Sequence, residues 1–305
     1  MKNPAASDAE RVYLIDASIF IFRAWFSMPD AFADPNGRPT NAVYGFARFL
    51  CELLEQTETR HVAVAFDESL AQSFRNDIYP EYKANREPAP EDLERQFAWC
   101  RDLAGCLGVP LYRHPRYEAD DLIASLSRYW RERGHPVSVV TGDKDLAQLV
   151  LAPEDHWWDF GRNTRLDPAG VFDKFGVEPR QIPDFLALIG DNVDNIPGVP
   201  GIGPKTASAL LKHFDNLDGL FDRLDELPFL KIRGAKGFAS RLRQHEPTVR
   251  LSRRLTGLDE PIVEVDEADH EPRGRPNADG LDALLDSLGF GVTLRQRLHA
   301  LALDE

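Results

Sequence analysis

Residues 190–207, GDNVDNIPGVPGIGPKTA, put two kinds of chemistry side by side. Asp191 and Asp194 stand three apart around a turn, as a pair of oxygen donors for a cation would. Gly198, Gly201, Ile202 and Gly203 follow in a glycine-proline hairpin whose backbone can approach a partner closely. Pro204 suits a first helical turn, and the spacing predicts a helix over 203–213. Its unpaired N–H groups and positive dipole end face the hairpin, where a phosphate would bind. Lys205 adds a charge there, with Thr206 beside it. Acid for a metal next to a grip for a phosphate suits a nucleic-acid backbone held while metals act on it. An ordinary helix-turn-helix with capping residues would be written the same way.

More acids occur at positions that suit a site. Runs 12–16, 61–66 and 137–141 read as buried strands, and Asp16, Asp67 and Asp143-Lys144-Asp145 lie at or just past their ends. An acid at the carboxyl end of a strand is how an α/β sheet presents a site. One such case is commonplace, but three suggest carboxylates converging at one sheet edge. Glu118, Asp120 and Asp121 open a predicted helix over 118–133. Simple capping is one reading, yet three acids in four positions exceed what a helix dipole needs, and they repel unless a cation sits among them. No histidine or cysteine accompanies these motifs at zinc spacing, so oxygen-only ligation selects Mg²⁺ or Mn²⁺. Two such ions roughly 4 Å apart activate a water and stabilise a leaving oxygen in phosphoryl displacement.

The elements that position these residues follow from periodicity. Helices are predicted over 41–57 and 91–107, and an edge strand over 156–160. From residue 167 the pattern is all helical, and the composition change near 160–180 marks a subdomain boundary. A closing helical stretch over 281–303 is interrupted at Gly289-Phe290-Gly291. Residues 1–11 are polar and read as a loose extension. The segment 79–93, with Tyr82, Lys83, Arg86 and three prolines, reads as irregular and exposed. It is a plain surface loop or a clamp that stacks and pairs with a nucleic-acid strand.

The 305 residues carry a formal net charge of -14, which alone speaks against nucleic acid. The distribution reverses that. Lys231, Arg233, Lys236, Arg241, Arg243, Arg250, Arg253 and Arg254 crowd one stretch, while the acids gather from Asp259 onwards. Exposed charges more than about 8 Å apart are largely screened, so a basic face can bind phosphates on an acidic protein. Three cysteines without ligand spacing suggest a reducing compartment, with Cys100 and Cys106 as buried thiols on a helix. No apolar run is long enough to span a membrane, and a cytoplasmic protein is expected.

The chain resembles the 5′-nuclease family, closest to the 5′→3′ exonuclease domain of bacterial DNA polymerase I and its free-standing relatives, and more distantly flap endonucleases. The resemblance rests on Val43-Tyr44-Gly45-Phe46, Tyr82-Lys83-Ala84-Asn85-Arg86, Glu118-Ala119-Asp120-Asp121, the run from Gly142-Asp143-Lys144-Asp145 to Leu149, and the 190–207 stretch, in the family's order. It implies an α/β fold: a PIN-like (resolvase-like) nuclease domain with a central, mostly parallel sheet over 12–175. A helical helix-three-turn-helix (helix-hairpin-helix) DNA-binding region over 176–305 would follow. It implies that Asp16, Asp67, Glu118 and Asp120 mainly surround one Mg²⁺, and Asp143, Asp145 and Asp194 the other, with Asp121 and Asp191 in support. Mn²⁺ would substitute.

By the same resemblance 79–93 is an arch, where Lys83 and Arg86 steer the scissile phosphate, with Arg75 ahead of it and Tyr82 within it. The hairpin would hold duplex DNA and a K⁺, with Lys236 among the DNA-binding residues. The expected protein is a monomer and a 5′→3′ exonuclease and flap endonuclease in replication or repair. Its partner is DNA with 5′ ends, flaps or branched junctions. The chain stops where the polymerase's linker would begin, and a separate DNA polymerase is a candidate partner on which the sequence is silent. Ala17 departs from the family's usual glycine, and the acidic 259–276 stretch has no assigned role. Two other readings remain open: a non-catalytic binder of branched DNA, and an RNase acting on RNA primers.

Overall fold

Short runs of valine, isoleucine and leucine build parallel strands buried on both faces, and longer runs with helical spacing build the helices around them. The computed structural model describes residues 10–29, 31–68, 73–232, 235–258 and 273–303. The acidic stretch from Asp259 and most of the 1–11 extension therefore lie outside the described residues.

The chain begins with β1 (Val12–Asp16), α1 (Ala17–Ser27), α2 (Asn41–Thr57), β2 (Val62–Asp67) and α3 (Phe74–Ile78). Then come α4 (Glu91–Cys106), β3 (Leu111–His114), α5 (Ala119–Glu132), β4 (Val137–Val140), β5 (His156–Asp159) and β6 (Thr164–Leu166). The remaining helices are α6 (Pro168–Phe175), α7 (Ile182–Ile189), α8 (Pro204–Phe214), α9 (Leu217–Asp222), α10 (Ala235–Thr256), α11 (Ala278–Leu288) and α12 (Val292–Leu303). Among the described residues no helix is long and apolar enough to cross a membrane.

Two compact units result. One is drawn from Met1–Leu70, Pro88–Gly142 and Pro261–Glu305, the other from Ala71–Glu87 and Asp143–Glu260.

In the first unit the strand order is β3-β2-β1-β4 and each neighbouring pair is parallel. The register pairs Asp16 with Ala65 and Ile15 with Val140, so Asp16, Asp67 and the residues after β4 leave the sheet at one edge. Helix α5 packs on β1, β2 and β4, and α1 packs on α2. Gly45 explains how close those two helices come: a Cβ there would lie 2.4 Å from Ala24 Cβ. The break expected at 289–291 is present, with Gly289 at φ 67 closing α11. Cys51 and Cys100 are buried; Cys106, expected to be buried, is intermediate.

In the second unit α7, α8 and α10 enclose a core that includes Trp157, Leu186, Leu210, Phe214 and Leu242. The 156–160 run forms β5, which pairs with β6 in an antiparallel hairpin. Of the basic stretch, the residues from Lys236 to Arg254 lie on one helix, α10, with Pro247 inside it; Lys231 precedes it and Arg233 lies outside the described residues.

Candidate functional site

Strand ends and helix starts place the first group of acids. Asp16 closes β1 and caps α1, accepting from the Ile19 N–H at 3.5 Å, while Thr141 Oγ1 donates to its other oxygen at 2.9 Å. Ala17, just after it, is fully buried, so its methyl is packed and the carboxylate stays at the strand end. Asp67 closes β2 and accepts from Ser18 Oγ at 2.6 Å and from the Ala119 N–H at 2.9 Å. It thus ties the start of α1 to the start of α5. Asp121 is buried and accepts from the Glu118 N–H at 3.0 Å, so it serves as a capping partner. Glu118 and Asp120 are half-buried at the same helix start.

The second group lies in the other unit. Asp143 and Asp145 are held by a local turn: the Asp145 N–H donates to Asp143 Oδ1 at 3.0 Å, and Trp157 Nε1 donates to the Asp143 carbonyl at 2.7 Å. Asp191 and Asp194 sit in a tight loop closed by two backbone hydrogen bonds between Asp191 and Ile196. Lys144 Nζ bonds Asp191 and lies 3.5 Å from Asp145 Oδ1. Asp194 accepts from Arg86 and from Tyr82 Oη at 3.3 Å, with Lys83 Nζ at 3.9 Å. Burial pushes the Asp143 and Asp145 carboxyls up, Asp145 to about 8, and the surrounding carboxylates add to this while Lys144 opposes it.

Among the described residues no three Asp, Glu, His or Cys side chains are arranged to hold an ion. In the second unit the cations of the chain itself, Lys144, Lys83 and Arg86, draw the carboxylates. Asp145 Oδ1 is buried and receives no hydrogen bond; Lys144 Nζ, 3.5 Å away, is its ion-pair partner. Crowded carboxylates with raised pKa values, one with a buried oxygen that no hydrogen bond reaches, fit a hard, oxygen-seeking divalent cation.

Three sequence assignments change. Tyr82, expected to stack on a nucleic-acid strand, is 4% exposed and packs with Ile196 and Leu255. Arg75 is 3% exposed and donates from Nε to the Leu255 carbonyl at 2.8 Å, so it fastens α3 to the end of α10 and does not present itself to a phosphate. Ile202 is buried in the core and anchors the hairpin.

The other hairpin residues divide between close packing within the chain and open space. A Cβ at Gly198 would lie 2.3 Å from the Ile189 backbone. Gly201 has φ 80, and a Cβ at Gly203, which caps α8, would meet nothing within 4 Å. Lys205 is exposed and Thr206 half-buried in the first turn of α8. Lys236 lies on α10, with its side chain outside the described residues. The 79–93 segment is a turn over 80–85, then irregular until α4 begins. Sequence reasoning passed over Lys144, although its place between two aspartates was a signal.

Known proteins agree with this architecture. The 5′-3′ exonuclease N-terminal resolvase-like domain matches residues 11–176, and the 5′-3′ exonuclease C-terminal SAM fold matches 177–277. The chain is 40% identical over 295 residues to DNA polymerase I of Mycobacterium tuberculosis and 38% identical over 294 residues to thermostable DNA polymerase I of Thermus thermophilus. Those alignments take in 93% and 94% of this chain but 31% and 33% of the relatives, so the chain spans about a third of their length. Two solved structures share the fold. T5 5′-exonuclease with bound divalent metal ions (zinc) is 20% identical, with a TM-score of 0.65 over 96% of this chain and 99% of that one. The catalytic core of Rad2 in complex with DNA substrate is 19% identical, with a TM-score of 0.63 over 99% and 95%.

Proposed function

We propose that this chain, which belongs to the 5′-3′ exonuclease family, is a metal-dependent 5′→3′ exonuclease and 5′-flap endonuclease that hydrolyses DNA in replication or repair. The observation that carries the reading is the second acid group, where Asp145 has a buried oxygen without a hydrogen bond, crowded by Asp143, Asp191 and Asp194 and countered by Lys144. A stable fold has no use for such a cluster, whereas a divalent cation does. The T5 relative's bound divalent ions support the same reading.

Residues 12–175 form the catalytic part and 176–305 the duplex-binding part. Asp16, Asp67, Glu118 and Asp120 would hold one Mg²⁺, for which Mn²⁺ would substitute. Asp143, Asp145 and Asp194 would hold the other, with Asp121 and Asp191 in support. Such ions would supply an activated water and neutralise charge at the scissile phosphate. Lys83 and Arg86 offer positive charge to the phosphate oxygens as negative charge develops on them. The 198–203 hairpin, which would take a K⁺, and Lys205 at the start of α8 would grip the duplex backbone. Phosphate contacts position without reading bases, so the enzyme recognises a 5′ end or junction and not a sequence.

The test is a labelled 5′-flap duplex incubated with protein in Mg²⁺ and in excess chelator. Cutting near the junction that requires Mg²⁺ and disappears in Asp143→Ala, with flap binding retained, is the expected result. Binding without cutting in both Mg²⁺ and Mn²⁺ would make the chain a branched-DNA binder.

A further inference from the structure

Two asparagines in the family motifs have no role in the chemistry above. Asn85 Nδ2 donates to the Asn192 carbonyl at 2.8 Å, and Asn195 Nδ2 donates in the opposite direction to the Glu81 carbonyl at 2.7 Å. Between them the Lys83 N–H donates to the Asp194 carbonyl at 3.0 Å. The turn 81–86 is thus stitched to the loop 191–196 by two side-chain amides and one backbone bond. Both strands of the stitch turn through left-handed backbone, Lys83 at φ 56 and Asn195 at φ 55. Asparagine tolerates that conformation better than most residues, while lysine does not, so Lys83 needs outside support to stay there. The outcome is that Lys83 and Arg86 both stand at the Asp194 carboxylate.

We propose that Asn85 and Asn195 are positioning residues that hold the 81–86 turn so that Lys83 and Arg86 remain beside Asp194. This rests on the proposed nuclease function, in which Asp194 holds a metal and the two cations meet the phosphate there. A small displacement of positioned groups costs rate more than binding, because the productive geometry is narrow. The amides act through Lys83 and Arg86 and touch neither metal nor DNA.

Asn195→Gly is the decisive variant, because glycine keeps the left-handed backbone and only the amide is lost. Single-turnover cleavage of a 5′-flap duplex should fall about fivefold or more, while flap affinity in chelator stays within about twofold. Asn85→Ala should behave alike. Combined with Lys83→Ala and Arg86→Ala together, Asn195→Gly should cause no further loss, since both cations it positions are already gone. In DNA-free protein, trypsin should cut after Lys83 and Arg86 several-fold faster in the variant. An unchanged rate, or a loss that multiplies in full in the variant lacking both Lys83 and Arg86, would overturn the proposal. If the wild-type protein does not cut, the nuclease reading fails on its own, and unchanged trypsin cleavage would then sink the stitch as well.

Discussion

At the scale of residues, Lys83 is the sharpest case. It shares Asp194 with Arg86 and sits over the Tyr82 ring, with Nζ 5.0 Å from the centroid. Lys83→Ala should slow single-turnover cleavage at saturating enzyme at least tenfold, about 1.4 kcal/mol of barrier for each factor of ten. An unchanged rate would remove Lys83 from the chemistry. The places of the acids were legible in the sequence, after buried strands and in a helix's first turn; the structure gives Asp16, Asp67 and Asp121 hydrogen-bonding roles there, and their hold on a metal is the proposal. The aromatic and basic residues were less so. Tyr82, Arg75 and Ile202 have the composition of a binding surface, yet they are buried by partners more than a hundred, or several tens of, positions away in sequence. Spacing along a chain carries no record of such partners.

At the scale of elements, Gly45 sets the distance between α1 and α2. Gly45→Ala would drive a methyl into Ala24 and should destabilise the fold by about 1–3 kcal/mol, read from the urea midpoint. Ala24→Gly in the same chain should recover most of the loss; no recovery would mean the clash lies elsewhere.

The first unit also contains a corner of two histidines and a tryptophan. His61, just ahead of β2, packs against Trp130 and His135, and its Nδ1 is buried without a hydrogen-bond partner. Burial, then the charges of His135 and Arg60, hold its pKa below the usual histidine value. A histidine depressed in the fold contributes stability above its unfolded pKa of about 6.5 and loses it as pH falls through the folded value. Stability should therefore drop between pH 7.5 and 5.5, and His61→Phe should flatten that drop; an equal drop in the variant would exclude His61 as its source.

Strands β1, β2 and β4 were legible as apolar runs. Strand β3, Leu-Tyr-Arg-His, alternates between exposed and half-buried positions and is written like a loop, and β6 has three residues. Their strand character comes from the neighbour they pair with.

At the scale of the whole molecule, a net charge of -14 coexists with a proposed grip on polyanionic DNA. The account requires local charge to prevail over the total. Flap affinity should fall steeply with salt, and Lys205→Ala should lower the slope of log affinity against log salt by about 1 without changing the single-turnover rate. An unchanged slope would take Lys205 off the phosphate backbone.

In the proposed nuclease, two separate sets of carboxylates would each hold one divalent ion. Titrating DNA-free protein with Mn²⁺ and following free Mn²⁺ by electron paramagnetic resonance, for wild type, Asp67→Ala and Asp145→Ala, counts those ions. Two sites are expected in the wild type, with the loss of one site in each variant and flap binding in chelator retained by both. A wild-type protein that binds one ion or none, or variants that both keep two, would contradict that assignment.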